Sequence, residues 1–296
     1  CCISLPSVTI PDSVISIGSM TFCNCSGLTN VMIGNSVASI GEDTFMGCRS
    51  LPAFTVNVTN TVYSSVDGVL INKNQAMLIQ YPEGKVGGSY SIPDGVTTIG
   101  SSAFRRCTSL ANVTIPDSVT NIGDGAFSYC YSLASVTIGS SVTRMGREAF
   151  RDCSSLTSVT IPNSLAYIGY LAFYSCLSLS SAYFQGDAPI SGGYAFDLDN
   201  NATIYYLAGT TGWGLTFDGR PTALWISSAV MNDYDGDGIS EIAVYDNNSG
   251  YWYAYSLQSC QATVWQQHWG WPGAETVPGD YDGDGFSDLA VYDRAN

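Results

Sequence analysis

The apolar residues of this chain recur at fixed spacings, most clearly between Leu110 and Ser178. This stretch contains three copies of one 23-residue pattern, LANVTIPDSVTNIGDGAFSYCYS, LASVTIGSSVTRMGREAFRDCSS and LTSVTIPNSLAYIGYLAFYSCLS. A constant period with apolar residues at constant positions is typical of a solenoid, because one such unit cannot bury its apolar side alone. We therefore expect stacked copies that lay leucine on leucine, isoleucine on isoleucine and phenylalanine on phenylalanine in a continuous core.

Within each copy, the pattern predicts two short strands and one helical turn. If positions are numbered from the leucine, apolar positions 4 and 6 alternate with polar positions 3 and 5, as in Asn112-Val113-Thr114-Ile115, which is typical of a half-buried strand. Proline at position 7 should end this strand. A second strand is expected at positions 10 to 13, before a glycine at position 14 that permits a turn. Ala-Phe-x-x-Cys at positions 17 to 21 suits a helical turn that packs Phe and Cys inward.

The register holds from Leu5 to about residue 200, with one interruption. The step from Leu51 to Leu110 is 59 residues, and the added segment at about 57–90 reads as a β-hairpin, VDGVLI and AMLIQY around a polar turn. We expect a solenoid over residues 1–202, a capping segment and linker over 203–226, and a different domain over 227–296. Because the chain begins at Cys1 within a repeat, we also expect it to be a fragment of a longer array.

Charge separates the two parts of the chain. Only 12% of residues are charged and the net charge is −15; it divides into −5 up to Ile226 and −10 from Ser227 onward. An acidic segment with few bases argues against nucleic acid as a partner and favours a bound cation. No run of about 18 apolar residues is present, so the sequence predicts no membrane-spanning segment.

A second repeat in the acidic part predicts a metal site. MNDYDGDGISEIAVYDN and VPGDYDGDGFSDLAVYDR place carboxylates at loop positions 1, 3, 5 and 9, namely Asp233, Asp235, Asp237 and Glu241, then Asp280, Asp282, Asp284 and Asp288. Alternating oxygen ligands on a glycine-containing turn select Ca²⁺. An EF-hand would need Glu at position 12, where this chain has Val244 and Val291. The alternative is a plain acidic turn.

Two resemblances follow from these motifs. The 23-residue copies resemble the BspA-like subgroup of leucine-rich repeats, which implies a mainly β solenoid of short strands and helical turns that serves adhesion or protein recognition. The acidic units resemble FG-GAP/VCBS-type repeats, which implies partial β-propeller-type blades with Ca²⁺ as a structural cofactor. In that family the carbonyl at loop position 7 also ligates the metal, which here implies Ile239 and Phe286. One full unit and the start of another cannot close a propeller.

The cysteines and the single histidine offer little catalytic chemistry. Six cysteines, Cys25 to Cys176, hold position 21 of successive copies. A disulfide framework is one interpretation for a secreted protein, but each cysteine would have two equivalent neighbours in a stack, so we favour buried thiols that pack as small apolar groups. His268 lies among tryptophans in WQQHWGWPG and is more typical of a loop than of a general base. We therefore expect no enzyme activity.

The variable positions 12, 15, 16, 19, 20 and 22 should face outward beside the core. They gather arginine and tyrosine, which are favoured in binding surfaces, and the candidate set is Arg105, Arg106, Arg144, Arg147, Arg151, Tyr129 and Tyr174. We expect a secreted or cell-surface protein of bacterial type that binds a protein or glycan on another cell or matrix. One alternative is a carbohydrate-binding module that uses Trp252, Trp265, Trp269 and Trp271, and another is a structural spacer.

Overall fold

The computed structural model describes residues 2–207 and 209–225, together with the strand residues 241–246, 251–256, 267–268, 275–276 and 291–292. The chain divides into two compact units, Cys1–Trp225 and Ile226–Asn296. The described residues are mainly β and contain no helix, so they also contain none long and apolar enough to cross a membrane. The first unit is a solenoid of stacked coils.

First strands of neighbouring coils pair in parallel within three sheets, and this pairing is interrupted after residue 56 and after residue 137. Val113 lies opposite Val136 and Val159 opposite Ala182, one repeat along the chain. Valine faces the core while threonine and serine face outward, as the alternation predicted. Numbered along the chain, these strands are β1 (Ser7–Ile10), β3 (Asn30–Ile33), β5 (Phe54–Val56), β9 (Ser89–Ser91), β11 (Asn112–Thr114), β13 (Ser135–Thr137), β15 (Ser158–Ile161), β17 (Ser181–Phe184) and β19 (Thr203–Tyr206).

The second strands also pair in parallel, in a two-stranded sheet of residues 16–17 and 39–40 and in an eight-stranded sheet that includes the predicted hairpin. Each is only two residues long because the chain turns directly after it: β2 (Ser16–Ile17), β4 (Ser39–Ile40), β10 (Thr98–Ile99), β12 (Asn121–Ile122), β14 (Arg144–Met145), β16 (Tyr167–Ile168) and β18 (Ile190–Ser191). The insert contributes the antiparallel strands β6 (Tyr63–Val66), β7 (Val69–Asn72) and β8 (Met77–Gln80). Strand β8 then pairs in parallel with β10, so the hairpin joins the sheet of the stack.

The core consists of the columns that the period predicted. The rings of Phe104, Phe127, Phe150, Phe173 and Phe196 stack with centroid distances of 4.7 to 5.2 Å and interplanar angles of 4 to 13°. All five side chains are fully buried. The C-terminal strands close this end, since β21 (Arg220–Leu224) pairs with β19 and β20 (Thr216–Phe217) folds back on β21.

The glycine at position 14 has a different role from the one predicted. Gly123, Gly146 and Gly169 are absent from the residues with positive φ, so the turn does not require their conformational freedom. Instead, a β-carbon on Gly146 would lie 2.6 Å from the Asp124 nitrogen of the preceding coil. Glycine is therefore needed here because neighbouring backbones approach closely at this corner.

The predicted helical turn at positions 17 to 21 is wrong for the described residues. In each coil, the residues at position 16, just before this segment, and at position 20, within it, have a left-handed backbone conformation. Examples are Glu148 (φ 55°) and Tyr129 (φ 62°). The backbone N–H groups at positions 16, 18 and 20 donate to the next coil, for example from Phe127 to the Ala149 carbonyl at 2.7 Å. These bonds alternate with local ones, since the N–H groups of Ser128 and Cys130 donate to carbonyls three residues earlier in the same coil, those of Gly125 and Phe127. Hydrogen bonds to the next coil thus interrupt the helical pattern and offset the cost of a positive φ in residues other than glycine.

In the second unit, the described strands are antiparallel. Strand β22 (Glu241–Asp246) pairs with β23 (Tyr251–Ser256), β23 pairs with β24 (Gln267–His268), and β25 (Glu275–Thr276) pairs with β26 (Val291–Tyr292). The segments between these strands lie outside the described residues. The arrangement as propeller-type blades therefore stays a prediction.

Candidate functional site

The structure brings five of the candidate residues into one continuous surface, the arginine–tyrosine cluster of Arg105, Arg106, Tyr129, Arg151 and Tyr174. The guanidinium carbons of Arg105, Arg106 and Arg151 lie 5.4, 5.8 and 5.6 Å from the centre of the Tyr129 ring. Arg151 also lies 5.1 Å from the Tyr174 ring. Cation–π contacts at such distances contribute about 0.5–1 kcal/mol each when exposed, so the cluster holds its own side chains in place.

Acidic side chains also hold two of these guanidinium groups, those of Arg105 and Arg151. Arg151 is 3.0 Å from the Asp152 carboxylate and 3.4 Å from that of Glu148. Arg105 is 3.7 Å from Asp43. The side chains of Arg105 and Arg151 each remain 28% exposed, so they are both positioned and available to a partner.

The turn geometry explains why these side chains point outward. Tyr129 and Arg106 hold the left-handed position 20, and Arg105, Arg151 and Tyr174 hold position 19 directly before it. On either side of this pair, the phenylalanine at position 18 and the cysteine at position 21 are buried in the core. The coils of residues 87–109, 133–155 and 156–178 therefore present both variable side chains on their outer side, whereas the coil of residues 110–132 presents only Tyr129, because Ser128 is buried.

Two further candidates lie apart from the cluster. Arg144 is on strand β14, at position 12, and its guanidinium carbon lies 4.6 Å from the Tyr167 ring of the next coil. Arg147, at position 15, lies 5.2 Å from the Tyr170 ring. Each arginine is exposed and contacts one tyrosine ring. Arg147 is nevertheless linked to the cluster, because its guanidinium lies 3.4 Å from the Glu148 carboxylate, which also pairs with Arg151.

The predicted Ca²⁺ ligands are not described, apart from the backbone of Glu241 at the start of β22. Asp233, Asp235, Asp237 and Ile239 lie outside the described residues, as do Asp280, Asp282, Asp284, Phe286 and Asp288 and the tryptophans Trp265, Trp269 and Trp271. Of Trp252 only the backbone within β23 is described. In the described part of the chain, no group of three or more acidic, histidine or cysteine side chains could hold a metal.

The cysteine column consists of buried thiols that donate hydrogen bonds along the stack. The Cys130 Sγ lies 2.9 Å from the Phe104 carbonyl oxygen, and Cys153 and Cys176 repeat this contact with Phe127 and Phe150 at 3.3 and 3.1 Å. Burial raises the pKa of the Cys130 thiol to about 12. A thiol in this state is a poor nucleophile, so the column is structural.

A comparison with protein families identifies the repeat. The model of the BspA type leucine-rich repeat region matches residues 1–73 and 88–203 in six copies, which is well over half of the chain. The chain belongs to the BspA-type leucine-rich repeat family. The unmatched residues 74–87 include strand β8 and the segment after it, where the hairpin departs from the repeat.

Solved structures of other leucine-rich repeat proteins resemble this BspA-type chain. The pneumococcal vaccine antigen PcpA has a TM-score of 0.59 at 20% identity over 69% of this chain and 63% of that one, which shows the fold alone. A leucine-rich cell surface protein of Faecalibacterium prausnitzii A2-165 has a TM-score of 0.57 at 28% identity over 72% and 65%. The chain thus spans less than two thirds of either protein. A search of curated proteins found no match.

Sequence reasoning missed two buried acids of this BspA-type stack. Glu83 is 7% exposed and Asp199 is 1% exposed, and burial raises the pKa of each to about 7. Asp199 could have been found, because it replaces cysteine at position 21 of the last copy. Glu83 lies in the insert, outside the register, so no periodic signal marks it.

Proposed function

We propose that this BspA-type solenoid is a non-enzymatic recognition scaffold on a bacterial surface, and that the arginine–tyrosine cluster binds an acidic segment of a protein partner. The contact network of Tyr129 with three guanidinium groups is the observation that supports this most directly. Arginine and tyrosine are favoured in binding hot spots because they combine large contact area with directional polar groups.

Charge supports an acidic partner. The chain carries ten bases against 25 acids, and five of the ten bases are Arg105, Arg106, Arg144, Arg147 and Arg151. Two of these arginines lie on the coil of residues 87–109 and three on the coil of residues 133–155, on either side of the coil that carries Tyr129, so arginine is concentrated on one part of an otherwise acidic chain. Such a local concentration of guanidinium groups favours an acidic partner at this face over others.

Preorganisation supports binding through a broad face. The cluster side chains are held by rings and carboxylates of the same stack, and the buried phenylalanine column fixes the backbone beneath them. Binding therefore immobilises few additional rotamers, which lowers the entropic cost of association. A solenoid presents such a surface over several repeats without a deep pocket.

Location and metal binding form part of the same proposal. The likeness to a bacterial leucine-rich cell surface protein at 28% identity supports a surface location for this chain. The carboxylate spacing of the two acidic loops supports Ca²⁺ as a structural ion. The backbone pairing of β22 with β23 directly after Glu241 is the arrangement expected if the first loop leads into a hairpin.

A random-peptide display selection on the full 296-residue chain tests the proposal. We expect enrichment of acidic peptides that contain aromatic residues. The double variant Arg147→Ala, Arg151→Ala should weaken the selected peptides at least tenfold, or about 1.4 kcal/mol. The matched control is Lys73→Ala, Lys85→Ala, which removes the same charge from the hairpin insert and should leave affinity nearly unchanged.

Two outcomes would contradict the proposal. One is a selection without enrichment of acidic peptides, and the other is equal binding to both double variants. A parallel glycan array distinguishes the carbohydrate alternative: sugar binding that survives Arg147→Ala, Arg151→Ala would place recognition elsewhere on the chain. Circular dichroism of each variant shows whether the fold is retained.

A further inference from the structure

A polar cleft of about 220 Å³ lies where the hairpin insert interrupts the stack. One wall comes from the coil of residues 28–50 and includes Asp43 and Met46. The other comes from the coil of residues 87–109 and includes Ser101 and Arg105. Met77, Ile79 and Glu83 from the insert form the floor between them.

The cleft lies where the insert replaces the turn segment of one coil, so that part of the usual hydrogen bonding between coils is missing. Elsewhere, the N–H groups at positions 16 and 18 donate to the next coil, as from Ser102 to the Asp124 carbonyl at 2.8 Å. Asp43 and Phe45 hold these positions in coil 28–50, and within the described residues their N–H groups have no backbone acceptor. On the opposite wall, the carbonyls of Ser101 and Arg105 likewise receive no backbone N–H from the described residues. Backbone groups that normally pair across the stack are thus left facing the cleft.

The carboxylate of Glu83 replaces one backbone carbonyl that, elsewhere in the stack, accepts a hydrogen bond from position 20 of the preceding coil. Its Oε1 accepts a hydrogen bond from the Gly47 N–H at 2.5 Å, at position 20. Gly84 holds Glu83 in this position, because the Gly84 N–H donates to the Leu51 carbonyl at 2.9 Å. The backbones are so close here that a β-carbon on Gly84 would lie 2.6 Å from the Leu51 nitrogen. The second oxygen, Oε2, is buried and has no hydrogen-bond partner among the described residues, and neither does Asp43 Oδ1.

The charges and walls of the cleft indicate the chemistry of its ligand. Three acids, Glu42, Asp43 and Glu83, line it against one lining cation, Arg105. An unsatisfied buried carboxylate oxygen is costly, and a charged donor relieves this cost. The apolar part of the lining is thioether and aliphatic, from Met46, Met77 and Ile79, which suits an alkyl stem.

We propose that this cleft binds a primary ammonium or guanidinium group on a short aliphatic stem. The charged group would donate to Glu83 Oε2, Asp43 Oδ1 and the Ser101 carbonyl, while the stem lies against the methionines. A lysine or arginine side chain of a peptide carries this chemistry, and so does a small aliphatic amine. This site shares Arg105 with the arginine–tyrosine cluster, but its ligand is a cation rather than an acidic segment, so the two proposals are tested separately.

Calorimetric titration of the full chain at about pH 8, where Glu83 is ionised, tests the proposal. The probes are acetyl-Gly-Lys-Gly-amide, its norleucine counterpart and n-butylammonium. We expect saturable binding of the lysine peptide or of the amine and none of the norleucine peptide. Glu83→Gln should weaken binding at least tenfold, since it keeps the acceptor for Gly47 but removes the charge. Asp94→Asn, which removes an exposed acid elsewhere, is the matched control.

The outcomes separate the sources of the ligand. Binding of the peptide alone identifies a lysine presented by a polypeptide, and binding of butylammonium alone identifies a small amine. The proposal is overturned if neither lysine peptide nor amine binds at about 10 mM, or if Glu83→Gln binds as tightly as the parent chain. Because Glu83→Gln could alter folding, Asp43→Asn is a second variant that should also lose affinity while its melting temperature is recorded.

Discussion

Truncation of Phe150 to alanine should destabilise the solenoid strongly, because this ring lies in the middle of the phenylalanine column. It is fully buried and stacks on Phe127 at 4.9 Å and on Phe173 at 5.2 Å, with interplanar angles of 4 and 6°. Phe22 offers a matched comparison at the same repeat position near the N-terminal end of the stack, outside this column. Its ring is partly exposed and stacks on only one phenylalanine of the described residues, Phe45, at 5.4 Å.

The expected magnitudes follow from burial and from ring contacts. Removal of a fully buried phenylalanine costs about 3–5 kcal/mol, which includes the cavity that it leaves. Two lost ring pairs at about 0.5–1.5 kcal/mol each place Phe150→Ala toward the upper part of this range. Phe22→Ala loses one pair and less buried area, so we expect about 1–2 kcal/mol. Since natural domains are stable by about 5–15 kcal/mol, the first change removes a large part of the total.

Urea unfolding followed by circular dichroism measures both losses through the midpoint and the slope of the transition. The result that would refute the reasoning is a cost for Phe150→Ala below about 1 kcal/mol, or one no larger than that of Phe22→Ala. Either would mean that position 18 is not the centre of a stacked column.

Three other predictions concern backbone approach, metal binding and buried acids. Gly146→Ala should cost about 2 kcal/mol or more because its β-carbon would meet backbone at 2.6 Å, whereas Gly88→Ala, with 3.8 Å of space, should be tolerated; equal urea midpoints would contradict this. Chelation of Ca²⁺ should lower the melting temperature of the region after Ser227 and leave that of the solenoid unchanged, as calorimetry would show; identical melting with and without chelator would count against the Ca²⁺ loops. Burial raises the pKa of Glu83 and Asp199 to about 7, so the folded chain retains protons that the unfolded chain loses above about pH 4–5. With two such groups, the free energy of unfolding should fall by on the order of 5 kcal/mol from pH 5 to pH 8. The double variant Glu83→Gln, Asp199→Asn should flatten this dependence, and an unchanged slope would show that other groups cause it.

The sequence predicted the columns because each is set by one repeated residue type. The leucines, valines and phenylalanines at fixed positions can be buried together only if like positions are stacked, and the parallel pairing of Val113 with Val136 confirms this. The hairpin was predictable for the same reason, since its alternating strands stand out against the repeat. The BspA-type family match confirms the repeat and its extent.

The turn between Gly146 and Cys153 shows what could not be predicted. A three-residue step of buried Phe and Cys is compatible with a helical turn, but only alternate N–H groups, such as that of Arg151, make local bonds, while those of Glu148 and Phe150 donate to the next coil. Left-handed conformations of Glu148 and Asp152 carry no sequence signal, because glycine is the residue expected there. The role of Gly146 was misread because close approach of another coil leaves no mark in the local sequence.

The candidate site was predicted in composition but not in arrangement. The candidate residues were named from their types and repeat positions, yet only coordinates show that Tyr129 gathers three arginines while Arg144 contacts Tyr167 instead. The cleft at Glu83 was not predictable, because it arises from segments that are missing rather than present. The backbone groups left unpaired in the cleft carry no signal in the sequence, because the same groups are paired wherever the stack is uninterrupted.

Oxidative footprinting of tyrosines, with and without a display-selected acidic peptide, tests the central claim most directly. The account predicts that the peptide protects Tyr129 and Tyr174 on the arginine–tyrosine cluster. It also predicts unchanged labelling of Tyr183 and Tyr205, which stack on each other 5.0 Å apart on the outer face of β17 and β19. Protection of Tyr183 and Tyr205 with none at Tyr129 and Tyr174 would contradict recognition through the cluster.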